Sequence, residues 1–349
     1  MSDRTSDEVR SGGKLLPSLG ILLVTGGLVL LGWFAYIWFN PGPAPYQYQH
    51  VETGSSTELT DVELDAWPDL TLSRYNVDVA GVDKPIGQVT LAKRGDEPPV
   101  LVHWKNYTND LLIAIDQKPS ELSELAKAIA KYAPEDSLIL SWWDTSRQLK
   151  LLSQRDTMFT NHMVEPLIIP DAWQPKKDAI YAYEEEFWQS ASNDKERKQF
   201  QKFTEALLAT PDEGIAKLRE LIGSDREAYL VVHVTDLFKL GLMHPDKFGI
   251  AYKSFPLTGN MHGLINHVKV HKTQNGFVSY TLQSLSEKKI RGYFLADESS
   301  VETLMAKTLP FTDQTAPVEM EIASLIYQHG GYWVYKIPAA TVSKDATKG

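Results

Sequence analysis

Leu15 to Phe39 is a run of 25 residues without a single charge. As a helix it spans about 37 Å, enough to cross a bilayer with some tilt. Pro17 falls in the first turn, where its missing N–H costs least. Trp33, Tyr36 and Trp38 crowd the far end, as expected at a membrane–water interface. Arg4, Arg10 and Lys14 precede the run, and the next basic residue is Arg74. The positive-inside rule therefore predicts residues 1–14 in the cytoplasm and 40–349 outside it. The run exceeds a usual signal-peptide core and no clear A-x-A site follows, so an uncleaved anchor is preferred to a cleaved signal peptide.

Residues 40–66 open with Pro41, Pro43 and Pro45 and stay polar, which predicts an extended stalk. Tyr75–Val79, Gly87–Leu91, Val100–His103 and Leu111–Ile115 read as strands of an antiparallel sheet, separated by Gly, Asp and Pro clusters. Pro119–Ala133 reads as a helix, with Leu122, Leu125, Ala126 and Ile129 on one face. Ser137–Trp142 is a short apolar strand, and the strand–helix–strand order predicts a parallel crossover. Helical pattern returns over 178–222. Thr210, Pro211 and Glu213 have the form of a helix start, and Gly223 of a stop. Tyr229–Val234 reads as another buried strand, followed by a short helix at Leu237–Leu240. Further strands are expected at Val268–Val270, Phe277–Leu282, Arg291–Leu295 and Tyr332–Ile337, with Asn275-Gly276 as a hairpin turn. Helices are expected at Val301–Thr308 and Pro317–Gln328.

Together these elements predict an α/β (α+β) chain. One transmembrane helix is followed by a soluble domain with a partly parallel β-α-β core and flanking antiparallel strands. The expected organisation is a tail at 1–14, an anchor at 15–39, a stalk at 40–66 and an extracytoplasmic domain at 67–349. A β-rich subdomain from about 248 is left open.

Composition narrows the chemistry. The 349 residues carry 35 basic and 45 acidic side chains, a formal charge of −10, and no cysteine. Thiolate metal sites, disulfides, cysteine nucleophiles and covalent c-type haem attachment are excluded. The acidic balance argues against nucleic acid as a partner. Phosphate-binding loops of the G-x-x-x-x-G-K-[ST] kind, the G-x-G-x-x-G fingerprint and the G-x-S-x-G elbow are absent from the sequence.

Three constellations remain. The strand at 137–142 delivers Trp142, Trp143 and Asp144 to its C-terminal end, and the strand at 229–234 delivers His233, Thr235 and Asp236. Ligands of open α/β sheets favour such strand ends, so Trp143, Asp144, Arg147, His233 and Asp236 form a candidate ligand-binding crevice. The plainer reading makes Asp144 a helix cap paired with Arg147, and the tryptophans packing. His262, His267 and His271, with His244 upstream, are weak metal candidates, and no cofactor is assigned. Tyr181, Tyr183, Phe187 and Trp188 around Glu184-Glu185-Glu186 suggest either a docking patch or an ordinary amphipathic helix.

Two resemblances enter here. Trp142-Trp143-Asp144, a helix and then Arg155-Asp156-Thr157 resemble the W-W-D region of oligosaccharyltransferase catalytic subunits. That family continues with Tyr-Gly where this chain has Thr145-Ser146, so acceptor binding is not carried over. The single anchor, Leu140–Gln148 and the Val231–Asp236 stretch resemble the hydroxylamine-oxidation protein HaoB family of ammonia- and methane-oxidising bacteria. This resemblance covers most of residues 15–340. It implies a periplasmic accessory protein on the bacterial inner membrane, beside a multihaem hydroxylamine oxidoreductase or another c-type cytochrome. It supplies no catalytic residue. The rival reading is a ligand-binding or enzymatic domain using the crevice, acting on a glycan or peptide.

Overall fold

The computed structural model describes residues 15–39, 42–108, 110–190, 193–223, 226–257, 261–312 and 323–339. Helix α1 (Leu15–Phe39) covers the uncharged run. Its segment Ser18–Tyr36 has a mean hydropathy of 2.0, long and apolar enough to cross a membrane, a property signal sequences share. Leucines and valines along it are exposed, and the Thr25 hydroxyl is satisfied by the Ile21 carbonyl at 2.8 Å.

Strands β1 (Tyr46–Ser55), β2 (Leu70–Val79), β3 (Gly87–Arg94) and β4 (Val100–Asn106) form an antiparallel meander in that order. The stalk expected over 40–66 is thus corrected: nine of its residues pair with β2 from Tyr46↔Val79 to Ser55↔Thr71, with a register shift between His50 and Glu52. β1 is an edge strand whose outward positions are polar, and this hides it in a hydropathy reading. Its one fully buried side chain, Tyr46, is 1% exposed. Leu111–Ile115 is also corrected. It makes isolated bridges, such as Ile113↔Ile168, and joins no sheet.

Helix α2 (Pro119–Tyr132) buries Leu122, Leu125, Ala126 and Ile129 as the periodicity predicts. Then follow β5 (Leu138–Leu140), α3 (Trp143–Ser153) and β6 (Asp156–Thr157). Helices α4 (Lys177–Trp188), α5 (Asp194–Leu208) and α6 (Pro211–Ile222) come next, and then β7 (Ala228–His233) and α7 (Asp236–Met243). Thr210 is the residue before α6 and Gly223 ends it at φ +90°, but the Thr210 side chain makes no capping bond. β5 pairs in parallel with both β6 and β7. The parallel crossover is therefore β5–α3–β6. The expected crossover through α2 does not form, because Leu111–Ile115, the strand expected before α2, makes only isolated bridges.

β8 (Ile250–Pro256), α8 (Met261–Gln274), β9 (Ser279–Ser286) and β10 (Lys289–Leu295) follow, with a three-stranded sheet ordered β8-β10-β9. The strand expected at Val268–Val270 is instead part of α8, where Leu264 and Val268, four apart, share the buried face. Asn275-Gly276 closes that helix rather than a hairpin. Gly276 takes φ +71°, and the Phe277 N–H returns to the Lys272 carbonyl at 3.0 Å.

Short helices α9 (Glu298–Val301) and α10 (Leu304–Lys307) precede β11 (Ser324–His329) and β12 (Tyr332–Ile337). The helix expected over Pro317–Gln328 is corrected from 324 onward, where the chain is an edge strand paired with β12. Residues 317–322 lie outside the described residues. β12 pairs antiparallel with β7 and completes a five-stranded sheet, β11-β12-β7-β5-β6.

That sheet is buried on both faces. Leu230 and Val232 join one core with Trp142, Phe200, Phe203 and Tyr293. Tyr229 and Val231 join the other with Leu122, Leu125, Leu72 and Val102. Two-faced burial is why β7 reads as a continuous apolar run instead of an alternating one.

Candidate functional site

Because β5 and β7 are parallel neighbours, their C-terminal ends lie at one edge, and α3 and α7 start there. Trp142 takes the cap position of α3, and Asp144, expected as that cap, is instead the second residue of the helix. Its Oδ1 accepts from the Thr145 N–H at 2.6 Å. Asp236 opens α7, and its Oδ2 accepts from the His233 N–H at 2.9 Å. Both acids are favoured by the helix N-terminal dipoles.

Lys239 lies between them. Its Nζ donates to Asp144 Oδ2 at 2.7 Å. It also lies 3.1 Å from Asp236 Oδ1, an ion pair whose geometry falls short of a hydrogen bond. The three side chains are 18%, 9% and 3% exposed for Asp144, Lys239 and Asp236, which makes this a buried charge cluster. Burial lifts Asp236 to about 6, opposed by the Lys239 charge and reinforced by Asp144. Burial works against the Lys239 ammonium, yet Asp144 and Asp236 together hold it above the usual lysine range. Sequence reasoning missed Lys239. The available signal was a lone lysine inside Leu237-Phe238-Lys239-Leu240, three residues after an acid.

The other crevice candidates turn elsewhere. Arg147 does not pair with Asp144. It donates to His162 Nδ1 at 3.0 Å and to the Pro99 carbonyl at 2.9 Å. Burial lowers the guanidinium to about 10, so it stays charged at neutral pH. His162 is therefore an acceptor at Nδ1. Burial and then the Arg147 charge press its pKa well below the imidazole range. Trp143 donates to the Glu165 carbonyl at 2.6 Å and meets the His162 ring edge-on at 4.6 Å. Trp188 stacks on that ring at 4.3 Å. The His233 Nδ1 lies 2.6 Å from the Thr235 hydroxyl, its ring packs on Tyr332 at 4.3 Å, and burial lowers it to about 3. The crevice thus resolves into an Asp144–Lys239–Asp236 cluster, an Arg147–His162 pair held by tryptophans, and a packed His233.

A cleft opens between β4, α3, α4 and α7. Trp104, Trp142, Gln148, Asp144, Lys239 and Glu184 line it among apolar side chains. The aromatic–acidic stretch on α4 supplies one wall rather than a free docking patch. Glu184 is 2% exposed and accepts from the Tyr46 hydroxyl, from Tyr48 at 2.7 Å and from Trp188 Nε1 at 2.7 Å. Tyr183 and Phe187 pack on Tyr48 at 5.8 and 4.2 Å.

The histidine candidates do not converge. His262 and His267 are exposed on α8, while His271 contacts Phe294 and lies 3.0 Å from the Asn275 amide. His244 meets the Thr204 hydroxyl at 3.1 Å. Among the described residues no group of three His, Asp or Glu side chains is placed to hold a metal ion.

Residues 12–337 match the model of a family described as HaoA-associated protein HaoB. No curated protein matches the chain. Similar solved structures include the C-terminal domain of C. jejuni PglB, at 12% identity and TM-score 0.35, covering 62% of this chain and 99% of that one. The C-terminal globular domain of oligosaccharyltransferase AfAglB-S2 from Archaeoglobus fulgidus is similar at 9% identity and TM-score 0.28, covering 62% and 97%. Such TM-scores are too low to carry a fold or an activity over.

Proposed function

The chain belongs to the family of HaoA-associated protein HaoB, and from that premise we propose a membrane-anchored accessory protein that holds a multihaem hydroxylamine oxidoreductase at the outer face of the inner membrane. Its role is associated with hydroxylamine oxidation. The observation that carries the finer reading is α1, an uncharged helix whose apolar side chains from Leu19 to Phe34 include a long run of exposed leucines and valines. The basic residues at 4, 10 and 14 favour a cytoplasmic N-terminus and a periplasmic domain.

The charge supports a docking role. Residues 1–39 hold equal numbers of acidic and basic groups, so the whole excess of −10 belongs to the domain beyond the anchor. A field of that sign speeds encounter with a partner bearing a basic face, and the attraction weakens with salt. The chain has no cysteine for covalent c-type haem, so electrons carried by such haems belong to the partner.

The test is capture of the full chain, tagged at its C-terminus, from gently solubilised native membranes. A c-type haem spectrum in the captured fraction, falling as salt rises, is the expected result. Recovery of the chain alone at low salt overturns the docking role.

A further inference from the structure

We infer that the cleft between β4, α3, α4 and α7 binds a small uncharged molecule that offers both a hydrogen-bond acceptor and a donor. This goes beyond the docking role and does not depend on it. Three lining side chains carry the inference. Trp104, Trp142 and Gln148 are 4%, 1% and 2% exposed. Both indole Nε1 atoms and Gln148 Oε1 are buried without a hydrogen-bond partner among the described residues. Buried polar atoms are normally paired, and three orphans in the lining of one cleft call for an occupant.

The orientation of the amide is set by the fold. Gln148 Nε2 donates to the Leu101 carbonyl at 2.8 Å, which leaves Oε1 as the free acceptor. The unmet demand is therefore two N–H donors and one carbonyl acceptor. An occupant must accept from the indoles and donate to Gln148.

The charges of the cleft point to a neutral occupant. Within the lining Asp144 and Lys239 are paired at 2.7 Å, and Asp236, which also faces Lys239, lies outside the lining. Glu184 already takes bonds from two tyrosines and Trp188. His103 and His162, also in the lining, are held in the uncharged form by burial. A charged ligand would lose its hydration with no free counter-ion to replace it.

The experiment uses the full chain in detergent, with indole nitrogens labelled with 15N. The probe is 2-pyridone, an uncharged ring with an acceptor and a donor on one edge. Benzoate, benzamidine and benzene are matched probes that are anionic, cationic and apolar. Trp104→Phe and Trp142→Phe assign the two indole signals. The expected result is a saturable shift of both signals by 2-pyridone, with each matched probe at least tenfold weaker. Gln148→Met, which keeps length and loses the amide, should weaken 2-pyridone about tenfold. Should that variant not fold, loss of the shift at the remaining indole in Trp142→Phe serves instead. No saturable shift, meaning only water fills the cleft, overturns the inference. So does equal binding of a charged or apolar probe, or a shift confined to other tryptophans.

Discussion

Lys239 shows what a single buried charge commits a structure to. Lys239→Met removes the cation and leaves Asp144 and Asp236 facing each other in a site only 18% and 3% exposed. Breaking a buried pair in this way costs about 3–5 kcal/mol, because the remaining charge stays buried. The expected result is a loss of that size in guanidinium unfolding. Adding Asp236→Asn should recover at least about 1 kcal/mol, since the two sites share one network. A double variant no more stable than Lys239→Met would show that the acids do not feel each other. Asp144 and Asp236 were legible as strand-end acids, since an acid after an apolar strand is a recurrent helix start. Their partner was not. A lysine in a short apolar helix reads as its exposed face, and Arg147 stood nearer in sequence. Only the parallel pairing of β5 with β7 brings residues 144 and 239 together.

At the scale of elements, the two clearest departures are β1 and the end of α8. β1 is edge strand rather than stalk because a minority of its residues face the core. Tyr46→Phe removes a hydroxyl that donates to the buried Glu184 carboxyl. Hydrogen bonds to such groups are worth about 1.5–3 kcal/mol, so a loss near 2 kcal/mol is expected by chemical denaturation. Val51→Ala, at a position 47% exposed, should stay within about 0.5 kcal/mol. If both changes proved neutral, β1 would not be part of the folded unit. Asn275-Gly276 was legible as a left-handed turn, but that conformation serves helix ends as well as hairpins. The arbiter is the buried face of Leu264 and Val268, at helical spacing. Gly276→Ala should cost about 1 kcal/mol in thermal unfolding, because φ +71° strains any Cβ. Gly276→Asn should cost less, since asparagine tolerates that region.

For the whole molecule, the α/β class and the long apolar helix α1 follow from runs of local pattern, while the choice of sheet for each strand does not. β12 reaches β7 across about a hundred residues of chain, and β4 and β5 are neighbours in sequence but belong to different sheets. Such pairings are won by burial on both faces of the central sheet, which no local window records. The same burial gives the molecule a distinct pH response. His103 is lowered to about 4 and His233 to about 3, and His162 and His244 also lie below the imidazole range, each mainly through burial. Unfolding frees these rings to bind protons near pH 6.5, so between pH 4 and 6.5 they make the unfolded chain the better base. Their share of stability falls as pH falls. Asp116, Glu184 and Asp236 act in the opposite sense, because burial raises them and folding then retains their protons. Of these acids Asp236 titrates near 6, so the histidines released by unfolding take up protons before it as pH drops from 7. Stability should therefore decline between pH 7.5 and 6, by up to about 1.4 kcal/mol per pH unit for each histidine the acids do not offset. Calorimetric unfolding of the chain in detergent at pH 7.5, 6.8 and 6.0 measures the slope. His233→Asn, whose amide can replace Nδ1 toward Thr235, should flatten it. A slope unchanged in that variant would mean that His233 is already charged in the fold, and a Tm that holds constant or rises toward pH 6 would mean that the buried acids outweigh the histidines.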